Sequence, residues 1–284
     1  MNPESRLTPF ITRDGHTLAV QDWPLPAGQT PRGVVLLVHG LGEHVGRYDH
    51  VARALGAWGF AVRGYDHWGH GESHGLPGSL PSDTRLLDDL AEVVDATRGQ
   101  HASGVPLILL GHSLGGLVVG RFVALGLRPV DALVMSSPAL DAGMNAFQKL
   151  LVAVLPALLP DLRVGNGLNA RYISHDPAVV QAYQHDPKVH DRISARLARF
   201  IAEGGPATLA AAPQWSVPTL LLYAGEDKLV RPAGSRQFAA TAPAGVVQSR
   251  CFEAMYHEIF NERDATPVFD ALKAWLDDRF KPPG

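Results

Sequence analysis

The stretch LLGHSLGGL, residues 109–117, sets one serine between an apolar run and a pair of glycines. Ordering a glycine costs more conformational entropy than ordering any other residue, so Gly111, Gly115 and Gly116 call for a reason. The stretch fits G-x-S-x-G, in which a strained strand-to-helix turn lifts a serine hydroxyl above the end of a sheet. Glycines let the backbone pass close on both sides of such a turn. An ordinary strand–helix loop that happens to contain Ser113 would match the same five letters, so the flanks decide. Before Ser113 runs VPLILLGHS (105–113), an unbroken apolar segment suited to a strand buried on both faces. After it comes LGGLVVGRFVALG, a helical pattern. That is the context the motif requires.

Similar apolar runs recur on either side: GVVLLVHG (33–40), FAVRGYD (60–66), ALVMSSP (132–138) and VPTLLLYAG (217–225). Helical spacing lies between them at 48–58 and 82–98, the second with Ser82 as expected N-cap, and again at 264–279. Residues 10–23 (FITRDGHTLAVQDW) predict an antiparallel hairpin turning at Asp14-Gly15, at one edge of the sheet. Alternating strand and helix means an α/β fold with a mostly parallel sheet and right-handed crossovers. The rhythm breaks between about 140 and 213, where the chain turns helical and no strand is evident. The expected division is therefore a core of 1–139 and 214–284, with 140–213 a helical cap over the carboxyl ends of the strands, where open α/β sheets bind ligands.

Composition narrows the function classes. The 284 residues are 46% hydrophobic and 19% charged, enough for a large core, and the net charge of −3 carries no basic stripe, which excludes nucleic acid as the expected partner. The one cysteine, Cys251, fits a reducing compartment. The N-terminal residues lack the apolar core of a signal peptide, and LLVAVLPALLP (150–160) is too short to span a bilayer. A soluble, cytoplasmic protein is expected.

A serine hydroxyl is a poor nucleophile unless a base takes its proton, and the base needs a group to orient it. With the nucleophile on such a turn, the chain order is Ser, then Asp or Glu, then His. Beyond residue 227 the sole histidine is His257, which makes it the base by elimination. The carboxylate belongs just after VPTLLLYAG, where Glu226 and Asp227 are adjacent; Asp227 is preferred. Its role is to hold the imidazole tautomer and stabilise the imidazolium. The oxyanion of an acyl-transfer intermediate needs backbone N–H donors, expected from Leu114 and from Leu41 in the loop after VVLLVHG. HEIFN also approaches the zinc pattern H-E-x-x-H, but Asn261 stands where the second ligand belongs, so no metal and no cofactor are expected.

Taken together, HGLGEHVGRY (39–48), YDHWGHGES (65–73), GHSLGG (111–116), AGEDKLV (224–230) and YHEIFNE (256–262) resemble the monoacylglycerol lipase branch of the α/β-hydrolases over about residues 8–280. The resemblance implies an eight-stranded, mostly parallel sheet with helices on both faces and a helical cap. It also implies hydrolysis of a single fatty-acyl ester of glycerol, with Glu43, Arg47, His112 and Tyr183 binding the glycerol end. A plain alternative for Glu43 and Arg47 is that they pair with each other. Two departures stand out. The acid loop is compressed to G-E-D, and Cys251 lies outside the loops that carry the family's better-known cysteines. Other activities open to the same residues are a generic carboxylesterase, a lysophospholipase, and an acyltransferase or peptidase. Residues 146–164 (AFQKLLVAVLPALLPDLRV) are apolar on almost every face. Burial against the sheet accounts for this as well as a lid does, one that lines an acyl tunnel inside and touches a lipid surface transiently outside.

Overall fold

The computed structural model describes residues 4–143, 152 and 154–281. Eight strands form one sheet: β1 (Arg6–Ile11), β2 (Thr17–Trp23), β3 (Val34–Val38), β4 (Ala61–Tyr65), β5 (Leu107–His112), β6 (Ala132–Ser136), β9 (Thr219–Ala224) and β10 (Val247–Phe252), in the order β1-β2-β4-β3-β5-β6-β9-β10. β1 and β2 are the expected edge hairpin, and β2 is antiparallel to β4; every other pairing is parallel. The sheet is that of an α/β-hydrolase.

Alternation along each buried strand explains the layers. In β3, Val34, Leu36 and Val38 join one apolar core with α2 (Arg85–Gln100), α3 (Leu114–Ala124) and Phe238 of α6 (Pro232–Thr241). Val35 and Leu37 join a second core with α1 (Asp49–Ala57) and α7 (Thr266–Arg279) on the opposite face. All five β3 residues are buried, which is why its sequence shows no polar alternation. β3 pairs with β4 on one side and β5 on the other, so the chain reverses its direction of travel across the sheet there. The loops after β3 and β5 thus open a crevice at the carboxyl edge.

Some local expectations fail. The N-cap of α2 is Thr84, not Ser82, and it makes no side-chain cap; its hydroxyl donates to Asp88 at 2.7 Å. Between β6 and β9 no described residue joins the main sheet, but strands are present: β7 (Arg163–Gly165) and β8 (Arg192–Ser194) pair antiparallel. Three residues are too few to print an alternation in the sequence. The segment also holds α4 (Pro177–His185) and α5 (Ala195–Ala211). α5 runs through Gly204-Gly205-Pro206 without a break. Burial of Gly204, Gly205 and Thr208 outweighs the proline's missing donor. Within 146–164, residues 146–151 and 153 lie outside the described residues. Of the rest, 154–158 are helical, with Pro156 buried and Leu158 and Leu159 exposed. Among the described residues, no helix is long and apolar enough to cross a membrane.

Candidate active site

β5 ends at His112, and α3 begins at Leu114, leaving Ser113 alone to make the turn. Its backbone sits at φ 55, ψ −116, a conformation that costs about 1–3 kcal/mol for a residue with a side chain. The surroundings hold it there. The Ser113 N–H donates to the Ser136 carbonyl at 2.9 Å, and its own carbonyl accepts from Leu117 and Ala139 at 3.0 Å each. The glycines explain themselves at two positions: a Cβ on Gly115 would stand 2.0 Å from the Val38 carbonyl oxygen, and one on Gly111 would stand 2.3 Å from that of Gly115. Helix and strand approach too closely here for any side chain.

The turn presents the Ser113 hydroxyl to His257. Ser113 Oγ lies 2.8 Å from His257 Nε2, and His257 Nδ1 lies 2.6 Å from Asp227 Oδ2. The other Asp227 oxygen accepts the N–H groups of Leu229 and Val230 at 2.8 and 2.9 Å. Of the two adjacent carboxylates, Asp227 reaches the imidazole, while Glu226 is exposed. Burial works against the charged form of both partners. It raises the Asp227 carboxyl, but His257 and the two backbone donors prevail and leave it lowered. Burial likewise pulls His257 down, yet Asp227 prevails and leaves it raised. The arrangement can take a proton from the hydroxyl and keep the resulting imidazolium stable.

The loop after β3 is fixed from both ends. His39 Nδ1 donates to the Gly40 carbonyl at 2.7 Å, and its Nε2 accepts the His67 N–H at 2.9 Å. His190, just before β8, donates its N–H to the Gly42 carbonyl at 2.9 Å. Leu41 and Leu114 line the space beside Ser113, and among the described residues neither N–H has a protein acceptor.

Glu43 and Arg47 pair with each other, the plain alternative. Glu43 Oε1 accepts from Gly40 N and the Tyr48 hydroxyl, both at 2.6 Å, and Oε2 accepts from Arg47 Nη1. Burial raises the Glu43 carboxyl, but Arg47 and the groups around it, Tyr48 and the Gly40 N–H among them, together outweigh it, and the net direction is down. Arg47 also grips Glu258 with both terminal nitrogens at 2.7 Å, and its guanidinium lies 4.7 Å from the centre of the Tyr183 ring. His112 packs 4.8 Å from His257, ring centre to ring centre, and its Nδ1 lies 3.1 Å from Ser136 Oγ. Burial, with His257 beside it, pushes His112 down to about 4, so it is neutral at pH 7. Its Nε2 is buried with no partner among the described residues.

Two cavities meet at Ser113. One, about 380 Å³, is apolar: Leu114, Val152, Leu155, Leu162, Ile193 and Ile201 are among its walls. The other, about 530 Å³, is lined by Glu43, His112, Tyr183, His190, Asp191 and Glu258, among others. Arg47 does not line either cavity; it stands behind Glu43 and Glu258. Sequence reasoning missed Glu258, His190 and Asn166, the last of which lines both cavities. Glu258 had a signal, since it directly follows the base; the other two lie where the segment has no motif.

Residues 29–264 match the family model described as serine aminopeptidase, S33. The chain is 36% identical over 249 residues to a monoacylglycerol lipase of Mycolicibacterium smegmatis, covering 87% of this chain and 88% of that one. It is 27% identical to the human monoglyceride lipase, covering 98% and 92%. The crystal structure of the Paleococcus ferrophilus monoacylglycerol lipase superposes with a TM-score of 0.83 at 32% identity, covering 92% of this chain and 99% of that one.

Proposed function

We propose a function from one premise: the chain belongs to the serine aminopeptidase, S33 family, and within it is a carboxylic ester hydrolase that cleaves monoacylglycerols to fatty acid and glycerol. The observation that carries this is the place of Ser113. Its hydroxyl is bonded to a buried, carboxylate-oriented histidine and opens onto one apolar and one more polar cavity. An ester of one fatty chain and a small polyol has that same division at its carbonyl. Relatives named for monoacylglycerol and monoglyceride support the same substrate.

Ser113 Oγ attacks the ester carbonyl carbon as its proton passes to His257 Nε2. The carbonyl π pair moves onto oxygen, which accepts the N–H groups of Leu41 and Leu114; donors so placed are each worth about 3–4 kcal/mol in the transition state. The tetrahedral centre collapses, the C–O bond to glycerol breaks, and His257 returns the proton to the leaving oxygen. Water then repeats the sequence on the acyl-serine and releases the fatty acid. Asp227 keeps the Nδ1 proton in place throughout. Each CH₂ of the chain buried in the apolar cavity adds about 0.8 kcal/mol. Glu43, His112 and Tyr183 face the glycerol end, with Arg47 bracing them from behind.

Residues 140–213 act as the cap over this site. Leu158 and Leu159 are exposed and suit brief contact with a lipid surface, from a cytoplasmic protein peripheral to the membrane. A fluorophosphonate probe tests the mechanism: it should label Ser113 in the wild type and leave Ser113→Ala unmodified by intact mass. Labelling that persists on another serine overturns the assignment.

A further inference from the structure

We propose that Glu258 is a positioning residue for the hydrolysis, joined through Arg47 and Glu43 to the oxyanion loop so that the base and the oxyanion donors are held as one unit. The inference rests on the serine-hydrolase reading of the site. It starts from a connection between two loops far apart in the chain. Gly40, whose peptide precedes Leu41, donates its N–H to Glu43. Glu43 accepts from Arg47, and Arg47 grips both oxygens of Glu258 in a planar fork. Glu258 is bonded in sequence to His257, and its Oε2 also accepts from Asn261 Nδ2 at 2.7 Å, within the same loop. The backbone N–H of Glu258 donates to the Ile173 carbonyl at 2.8 Å, which ties the loop to the segment over the site.

A structural salt bridge needs no such place. Glu258 and Glu43 are both about 95% buried or more, and all four carboxylate oxygens are already engaged. Both residues border the polar cavity, and every one of their carboxylate oxygens already accepts from a protein group. Their charges instead act on His257. The titratable and charged groups facing that imidazole are Asp227, Glu258, Glu43 and the neutral His112, with Arg47 behind the two glutamates. After Asp227, Glu258 and then Glu43 favour the imidazolium that forms during turnover. Glu258 thus works twice, once on geometry and once on charge, without touching the reacting atoms.

The test is Glu258→Gln, which keeps the shape and removes the charge, with Arg47→Gln/Glu258→Gln as a second variant that leaves no guanidinium without its carboxylate. Three readouts are taken: kcat and KM on a monoacylglycerol, the acid limb of the kcat/KM–pH profile, and the ¹⁵N titration of His257. The proposal expects kcat to fall about 10- to 100-fold with KM within twofold, and the acid limb and the His257 titration to move together to lower pH, by at least about half a unit. A KM that rises while kcat holds makes Glu258 a substrate contact and overturns the proposal. So does a lowered kcat with the His257 titration unmoved in both variants, since that is what a merely structural bridge gives. Failure of the underlying hydrolase reading looks different: the wild type itself hydrolyses no ester and Ser113 takes no phosphonate label.

Discussion

The carboxyl edge of the sheet and the segment that lies between β6 and β9 meet at the same cavity, but they are built differently. At the edge, position is set by backbone: a strained serine between tight glycines, a carboxylate pinned by two N–H groups, a loop fixed by histidine–backbone bonds. In the segment, the wall of the apolar cavity is made by side chains carried on α5 and on shorter pieces, with leucines facing both the cavity and the solvent. The difference teaches that the hydrogen-bonded groups around Ser113 sit where the chain has least freedom, while the apolar cavity is shaped by side chains. Such a division should show in how steeply each region responds to change.

The steepest response belongs to Ser113. Ser113→Ala should lower kcat by about 10⁴–10⁶, leaving only binding and the oxyanion donors. A residual rate within 100-fold of wild type would move the nucleophile elsewhere. Next is the paired comparison of Asp227→Asn with Glu226→Gln on one ester. The first should cost about 10⁴ in kcat and move the acid limb to lower pH, because Asp227 holds His257 raised. The second should change activity less than about threefold, as for a surface carboxylate. A larger loss from Glu226→Gln would transfer the orienting role to Glu226. In the wild type itself, kcat/KM should fall as pH drops through a His257 pKa above the usual 6.5 or so.

The same contrast governs how much of the molecule could be read from its sequence. The edge hairpin, the inner parallel strands and helices α1, α2, α3 and α7 were legible because burial on both faces writes continuous apolar runs, and helices covering a sheet write a 3.6-residue period. That Ser113, His257 and Asp227 would meet in one hydrogen-bonded series was legible, because residue type, chain order and the strand ends that carry them are read directly from the sequence. The segment from 140 to 213 wrote weaker marks. β7 and β8 are three residues each, and α5 continues through a Gly-Gly-Pro that local rules read as a break. Ser82 carried a cap signature that Thr84 displaced. Glu258 was visible in the sequence as the residue after the base, but nothing in HEIFN says that an arginine 211 residues earlier will meet it.

Stability separates the two regions further. Gly115→Ala places a methyl 2.0 Å from the Val38 carbonyl and should cost about 3 kcal/mol in denaturant unfolding, despite alanine's better helix propensity. Gly165→Ala, in β7 with nothing within 4 Å of its Cβ, should change stability by less than about 0.5 kcal/mol. Equal costs would dissolve the contrast between edge and segment. A modest effect is expected of Tyr183→Phe, which removes one hydroxyl from the polar cavity. It should lower kcat/KM for a monoacylglycerol by about 3- to 10-fold, the net worth of one hydrogen bond, and leave the methyl ester of the same acid unchanged. Equal losses on both esters would place Tyr183 away from the glycerol.

The most direct test of the central claim is the ratio of kcat/KM for a monoacylglycerol to that for the methyl ester of the same fatty acid, in the wild type. The two substrates share the acyl chain and the carbonyl and differ only in what enters the polar cavity. A site that holds glycerol hydroxyls beside Ser113 predicts a ratio of at least about 10 in favour of the monoacylglycerol. A ratio near one would contradict the account, and would leave a serine esterase whose polar cavity does not recognise glycerol.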